Sequence, residues 1–190
     1  MTKKNEKVHF SPNEICIIDV EATGLSPDSH PIEIAFLSLT DEEDSFLINP
    51  ESVNYWTHWD GNAQDVHGIS REECVENGIS VYEAAQRLNN QLRGCLLISD
   101  AAGFDGWWID VLFEAADLEQ EFNVIDLADF VFGTGQDPAK MNEFFKFKEE
   151  NTIPHRALAD CKIIKDSAIK AGIFKKSMNS SCNQGIAVRL

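Results

Sequence analysis

At 190 residues and 21.3 kDa the chain suits a single domain with short tails and is long enough to bury a substantial core. Five scattered cysteines without a CxxC spacing argue against a disulfide framework or a zinc cage, and no apolar run is long enough to span a bilayer. The opening MTKKNEKVHF lacks the apolar stretch of a signal peptide, so the expected location is cytoplasmic, without a membrane partner.

The net charge of −16 ordinarily weighs against a polyanionic partner, but it is unevenly spread. Residues 8–139 carry 3 basic and 26 acidic residues, whereas residues 140–190 carry 10 basic and 5 acidic. Either the acidic surface only solubilises the protein, or the C-terminal third meets an anion that the remainder would repel.

In chain order, the polar residues 1–9 read as a tail. The β-branched run EICIIDV (residues 14–20) predicts a buried strand, and residues 32–39 and 45–48 predict two more across the turn-like TDEED, an early antiparallel meander. Residues 49–79 read as mostly irregular. Ser80, with Glu83 three residues on, forms a capping box that starts a helix to about Arg93. CLLIS (95–99) predicts a compact strand, followed by a helix over 103–118, a short strand at 123–125 and helices near 127–132 and 140–147. The last long helix runs over about 156–171 and ends at Gly172. The polar residues 176–190 form a second tail, leaving one α/β domain over 10–175 with a mixed sheet.

Side chains two apart on a strand share a face, so Asp19 and Glu21 project together from the end of the first strand. Such a pair is either an exposed strand end or a site for a hard divalent cation. In DAAGFDGWW (100–108), Asp105 follows a buried strand near a helix start, where an acid can also serve as a cap. In PHRALADC (154–161), His155 and Asp160 are five apart, about 140° around a regular helix. Pro154 favours a helix start, which puts His155 on the entry loop, free to lean towards a site that Asp160 approaches from the helix.

The order DxE, then FD after a buried strand, then HxxxxD on a late helix resembles the three exonuclease motifs of the DEDD superfamily, in its histidine-bearing subgroup. That subgroup includes the proofreading subunit of bacterial replicative polymerases and ribonuclease T. DVEATGL, PIEIAFL, VHGISREE (66–73) and HRALADC extend the resemblance over roughly residues 13–172. One departure stands out: the usual His-Asn-Ala before Phe-Asp is here Asp100, Ala101 and Ala102.

The resemblance implies a ribonuclease H-like fold, a mixed five-stranded sheet with helices on both faces. It makes Asp19, Glu21, Asp105 and Asp160 ligands of two Mg²⁺ or Mn²⁺ ions and His155 the general base of a 3′-to-5′ exonuclease releasing 5′-mononucleotides. Four converging acids could not all ionise without cations, and a histidine can take a water proton near neutral pH. By the same resemblance Thr23, Gly24 and Leu25 would contact the terminal nucleotide, His67 and Ile69 would flank its base, and a homodimer is possible. Arg156, with Lys162, Lys165 and Lys170, would form a phosphate approach, and the tryptophans at 56, 59, 107 and 108 offer stacking platforms or core. The acidity points to 3′ ends of single-stranded DNA or RNA rather than long duplexes. The alternatives are a catalytically silent nucleic-acid-binding or accessory module of the same fold, and a phosphohydrolase of small nucleotide phosphodiesters.

Overall fold

The computed structural model describes residues 7–151, 155–175 and 185–190. Its centre is a five-stranded sheet of β2 (Ile15–Ala22), β3 (Pro31–Ser38), β4 (Glu43–Leu47), β5 (Leu96–Ser99) and β6 (Asn123–Asp126). The strand order is β4-β3-β2-β5-β6. The first three form the antiparallel meander, whereas β2, β5 and β6 run parallel. Parallel neighbours need crossovers, which helices supply.

Alternation along β2 splits the core in two. Cys16, Ile18 and Val20 face a cluster that includes Leu88 of α3 (Val81–Leu92) and Ile109 and Leu112 of α4 (Ala102–Ala116). Ile15 and Ile17 face a second cluster with Phe130 of α5 (Leu127–Gly133), Phe144 of α6 (Ala139–Glu149) and Ile164 of α7 (Ala157–Lys170). The sheet is therefore buried on both faces, as the mixed α/β reading requires. The capping box at Ser80 and Glu83 is formed as expected. Among the described residues no helix is long and apolar enough to cross a membrane.

Two regions differ from the sequence reading. Residues 49–79 are not mostly irregular: they hold α1 (Gly61–His67) and α2 (Arg71–Asn77), with Asp60 and Ser70 as N-caps whose side chains accept from Asn62 and Glu73. Gly68, at φ 71°, closes α1 in the left-handed conformation. These helices are too short to show an apolar period, so their caps are their only local signal. Residues 7–9 and 186–189, assigned to tails by their polarity, instead belong to a two-stranded antiparallel ribbon. In it β1 (Lys7–Phe10) pairs with β7 (Ile186–Arg189), placing Phe10 and Val188 in the second core cluster. Four cysteines are buried core thiols, and Cys182 lies outside the described residues.

Gly78 ends α2 where its backbone presses on the bridge between Ile48 and Ile79; a Cβ there would stand 2.6 Å from the Asn49 nitrogen and the Ile48 carbonyl carbon. Gly78→Ala is expected to lose about 1–3 kcal/mol of stability through this overlap. Urea unfolding would measure it, and an unchanged midpoint would show that the bridge can yield.

Candidate active site

The face of β2 that carries Ile15 and Ile17 into the core carries Asp19 and Glu21 at its carboxyl end, both part-buried. The parallel neighbour β5 ends beside them at Ser99. Ser99, wholly buried, donates from Oγ to Asp105 Oδ2 at 2.5 Å and accepts the Ala101 N–H at 2.8 Å. The one hydroxyl thus fixes both the turn and the rotamer of Asp105, in the first turn of α4. From the opposite face of the sheet, α7 brings Asp160 in its own first turn. Asp160 is buried, and among the described residues its Oδ1 has no hydrogen-bond partner. His155 lies exposed in the loop before α7, in the left-handed region at φ 49°; Pro154, the expected helix start, lies outside the described residues.

These five side chains line one cavity of about 230 Å³, together with Leu25, Asp100, Phe104, Trp108 and Lys148. Ligand atoms of Glu21, His155 and Asp160 lie within 4.8 Å of one another. Electrostatically the cavity is crowded. Burial, then Asp105 and Glu21, push the Asp19 carboxyl well above the usual range. Burial, then Asp160, pushes Glu21 up to about 7. Burial also raises Asp105 to about 7 and Asp160 to about 6, the latter eased by His155 and Lys148. An all-oxygen carboxylate set with an orphaned buried oxygen and uncompensated charge fits a hard divalent cation.

The expected substrate contacts fare differently. Leu25 lines the cavity and is 71% exposed. Thr23 is buried, its hydroxyl accepting the His30 N–H at 3.1 Å. Gly24, at φ 146°, lies so close to the His58 ring and Asp60 that a Cβ would stand 2.9 Å from His58 Nε2. His67 is buried and its Nδ1 accepts the Ile69 N–H; Ile69 is wholly buried in a small cluster with Ile32 and Cys74. None of these four lines the cavity. Arg156 is engaged by Glu33, to which it donates from Nε and from Nη2, the latter at 2.7 Å. Glu33 also accepts the Ala157 N–H at 2.9 Å, so it anchors the start of α7. Lys162 and Lys165 pair with Glu43 and Asp41 at the β3–β4 hairpin and do not line the cavity. Trp56 is buried and stacks on His30 with centroids 4.6 Å apart, and Trp108 is core with its Nε1 donating to Ser29.

Sequence reasoning missed Ser99, Glu33, Phe104 and Lys148. A small polar residue closing an apolar strand and a lone glutamate inside PIEIAFL were the available signals for the first two. Lys148 follows the buried Phe144 by four positions, which sets both on one side of α6.

The chain matches the RNase T family, described as Exonuclease, over residues 16–166. No curated protein matches it. Among solved structures it is similar to a zinc-bound complex of E. coli exonuclease I with single-stranded DNA, at 15% identity and a TM-score of 0.63, covering 86% of this chain and 41% of that one. The metal-free form of the same complex gives 16% and 0.63 over 86% and 40%. A moderately thermophilic exonuclease I from Methylocaldum szegediense gives 17% and 0.62 over 86% and 41%. The chain thus spans about two fifths of the length of these proteins, and at such identities the likeness is one of fold.

Carboxyls whose pKa is raised by folding hold protons in the native state that the unfolded chain has released, so stability falls as pH rises from their ordinary values, near 4, to their native ones. Metal-free protein is therefore expected to melt lower at pH 8 than at pH 5, with most of the loss complete by about 7. Added Mg²⁺ should raise the melting temperature at pH 8 and do little at pH 5, because protons compete for the same oxygens. Asp19→Asn should flatten both dependences; a profile identical to wild type would remove the carboxylates as its cause.

Proposed function

The chain belongs to the exonuclease family it matches over residues 16–166, and from that premise we propose that it is a metal-dependent 3′-to-5′ exonuclease of the histidine-bearing DEDD subgroup, acting on single-stranded DNA or RNA. The observation that carries the reading is the convergence of Asp19, Glu21, Asp105, Asp160 and His155 on one cavity at the carboxyl ends of β2 and β5. Two Mg²⁺ or Mn²⁺ ions, when bound, would supply Lewis-acid activation of a water and charge stabilisation at the leaving 3′ oxygen.

The chain's own residues do the rest. The four carboxylates would hold the ions, with Asp105 aimed by Ser99. His155, exposed beside Glu21 and Asp160, takes the proton of the attacking water at a ring nitrogen. Leu25 and Phe104, exposed large apolar side chains on the cavity wall, suit a terminal base. A cavity of about 230 Å³, below the range of ~300–1,000 Å³ usual for small-molecule sites, favours a strand end over a duplex. A net charge of −16 also favours short single strands, where fewer phosphates must be met. The same charge favours, as a second reading, a hydrolase of small nucleotide phosphodiesters, which present fewer phosphates still.

The test is digestion of 5′-labelled single-stranded DNA and RNA oligomers in Mg²⁺, Mn²⁺ or EDTA. The expected product is a ladder shortened from the 3′ end, absent in EDTA and in Asp19→Ala. His155→Ala should slow cleavage by about 10²- to 10⁴-fold. A labelled mononucleotide as first product would reverse the polarity. Intact oligomers alongside hydrolysis of a small phosphodiester would favour the second reading.

A further inference from the structure

The cavity has a feature that the metal ligands and the base leave unused. Lys148, in the last turn of α6, reaches its wall, where the ammonium donates to Asp100 Oδ2. Asp100 occupies the turn between β5 and α4, the place where the sequence departs from its family. Its side chain is only 6% exposed, whereas that of Lys148 is 25% exposed. An ammonium carries three donors; among the described residues Asp100 takes one and no second acceptor is recorded. Among the described residues five carboxylates line the cavity, and apart from His155 Lys148 is its sole basic residue. Arg156, the other nearby cation, is committed to Glu33 and does not line it. Beside any bound metal, Lys148 is the side chain of this lining that offers an entering anion an ammonium.

We propose that Lys148 is a phosphate-binding residue of the cleft, held over the cavity by Asp100 and donating to a non-bridging oxygen of a nucleic-acid phosphate. This rests on the reading of the site as an exonuclease centre and adds a residue to it. A compact ammonium acts here as a point charge, tolerant of how the phosphate is turned. Asp100 has a double effect: it fixes the lysine, and it competes with the phosphate for the same donors.

That competition gives the test its sign. Binding of a 5′-fluorescein oligothymidylate, with Ca²⁺ in place of the catalytic metal, would be followed by anisotropy across a KCl series. Lys148→Ala is expected to bind about tenfold more weakly at low salt. It should also flatten the slope of log K against log salt by about 0.7, the increment for one phosphate on a single strand. Lys148→Met, which keeps the aliphatic stem, should behave alike, and Lys148→Arg should recover most of the affinity. Asp100→Asn should bind more tightly than wild type, because it frees the donors and removes a negative charge. If the pair only holds α6 to the β5–α4 turn, Lys148→Met and Asp100→Asn will weaken binding alike with the wild-type slope, and the assignment falls. It falls equally if Lys148→Met binds as wild type does. The exonuclease reading fails by a separate result: folded wild-type protein that leaves 5′-labelled oligomers intact in Mg²⁺ and Mn²⁺.

Discussion

Burial of four carboxyls in one place, compounded by their mutual repulsion, is the constraint around which the molecule is arranged. Asp19, Glu21, Asp105 and Asp160 arrive from three elements, and each is partly or wholly withdrawn from water. Bringing them together costs stability in the metal-free chain, so other parts of the fold must hold them in place. Two helices approach from opposite faces of the sheet, and each presents its acid in the first turn, near the positive end of the helix dipole. Ser99 locks one helix start and Glu33 locks the other. The hydrophobic clusters on either face of β2 then make these starts rigid with respect to each other.

Glu33 shows how an acid can serve this arrangement without joining it. It lies opposite Glu21 on the neighbouring strand and would add to the repulsion if left bare. Its charge is instead met by Arg156 and by the first amide of α7. Arg156, expected at the substrate, pairs with Glu33 beside the histidine loop. Removing the exposed arginine would leave the buried Glu33 carboxylate without its cation.

Much of the fold was legible because its signals are local. The strand β2 announces itself by its apolar run, and the parity of Asp19 and Glu21 follows from pleating alone. The helix after Ser80 is fixed by a capping box that needs no tertiary partner. The acids and His155 were found by their order along the chain, which survives without any knowledge of geometry. What escaped was long-range. The pairing of Lys7 with Arg189 joins residues too distant in sequence and too polar to suggest a strand. The burial of Ile69 and the partners of Lys148, Lys162 and Arg156 depend on which elements pack together, and no spacing encodes them. The short helices α1 and α2 fall between: their caps were visible, but the apolar repeat that gives a helix its weight was missing.

The backbone at His155 bears on how such a site persists. An L-residue in the left-handed region pays about 1–2 kcal/mol that glycine would not, although histidine is found there more often than most. Thermodynamics alone would thus favour glycine here, relaxing the loop and removing the ring that lies within 4.8 Å of the Glu21 and Asp160 ligand atoms. Under the proposed function, position 155 is one where folding and chemistry want different residues. The clamp of Arg156 and Ala157 on Glu33, one residue further along, is the counterweight that lets the less comfortable choice endure.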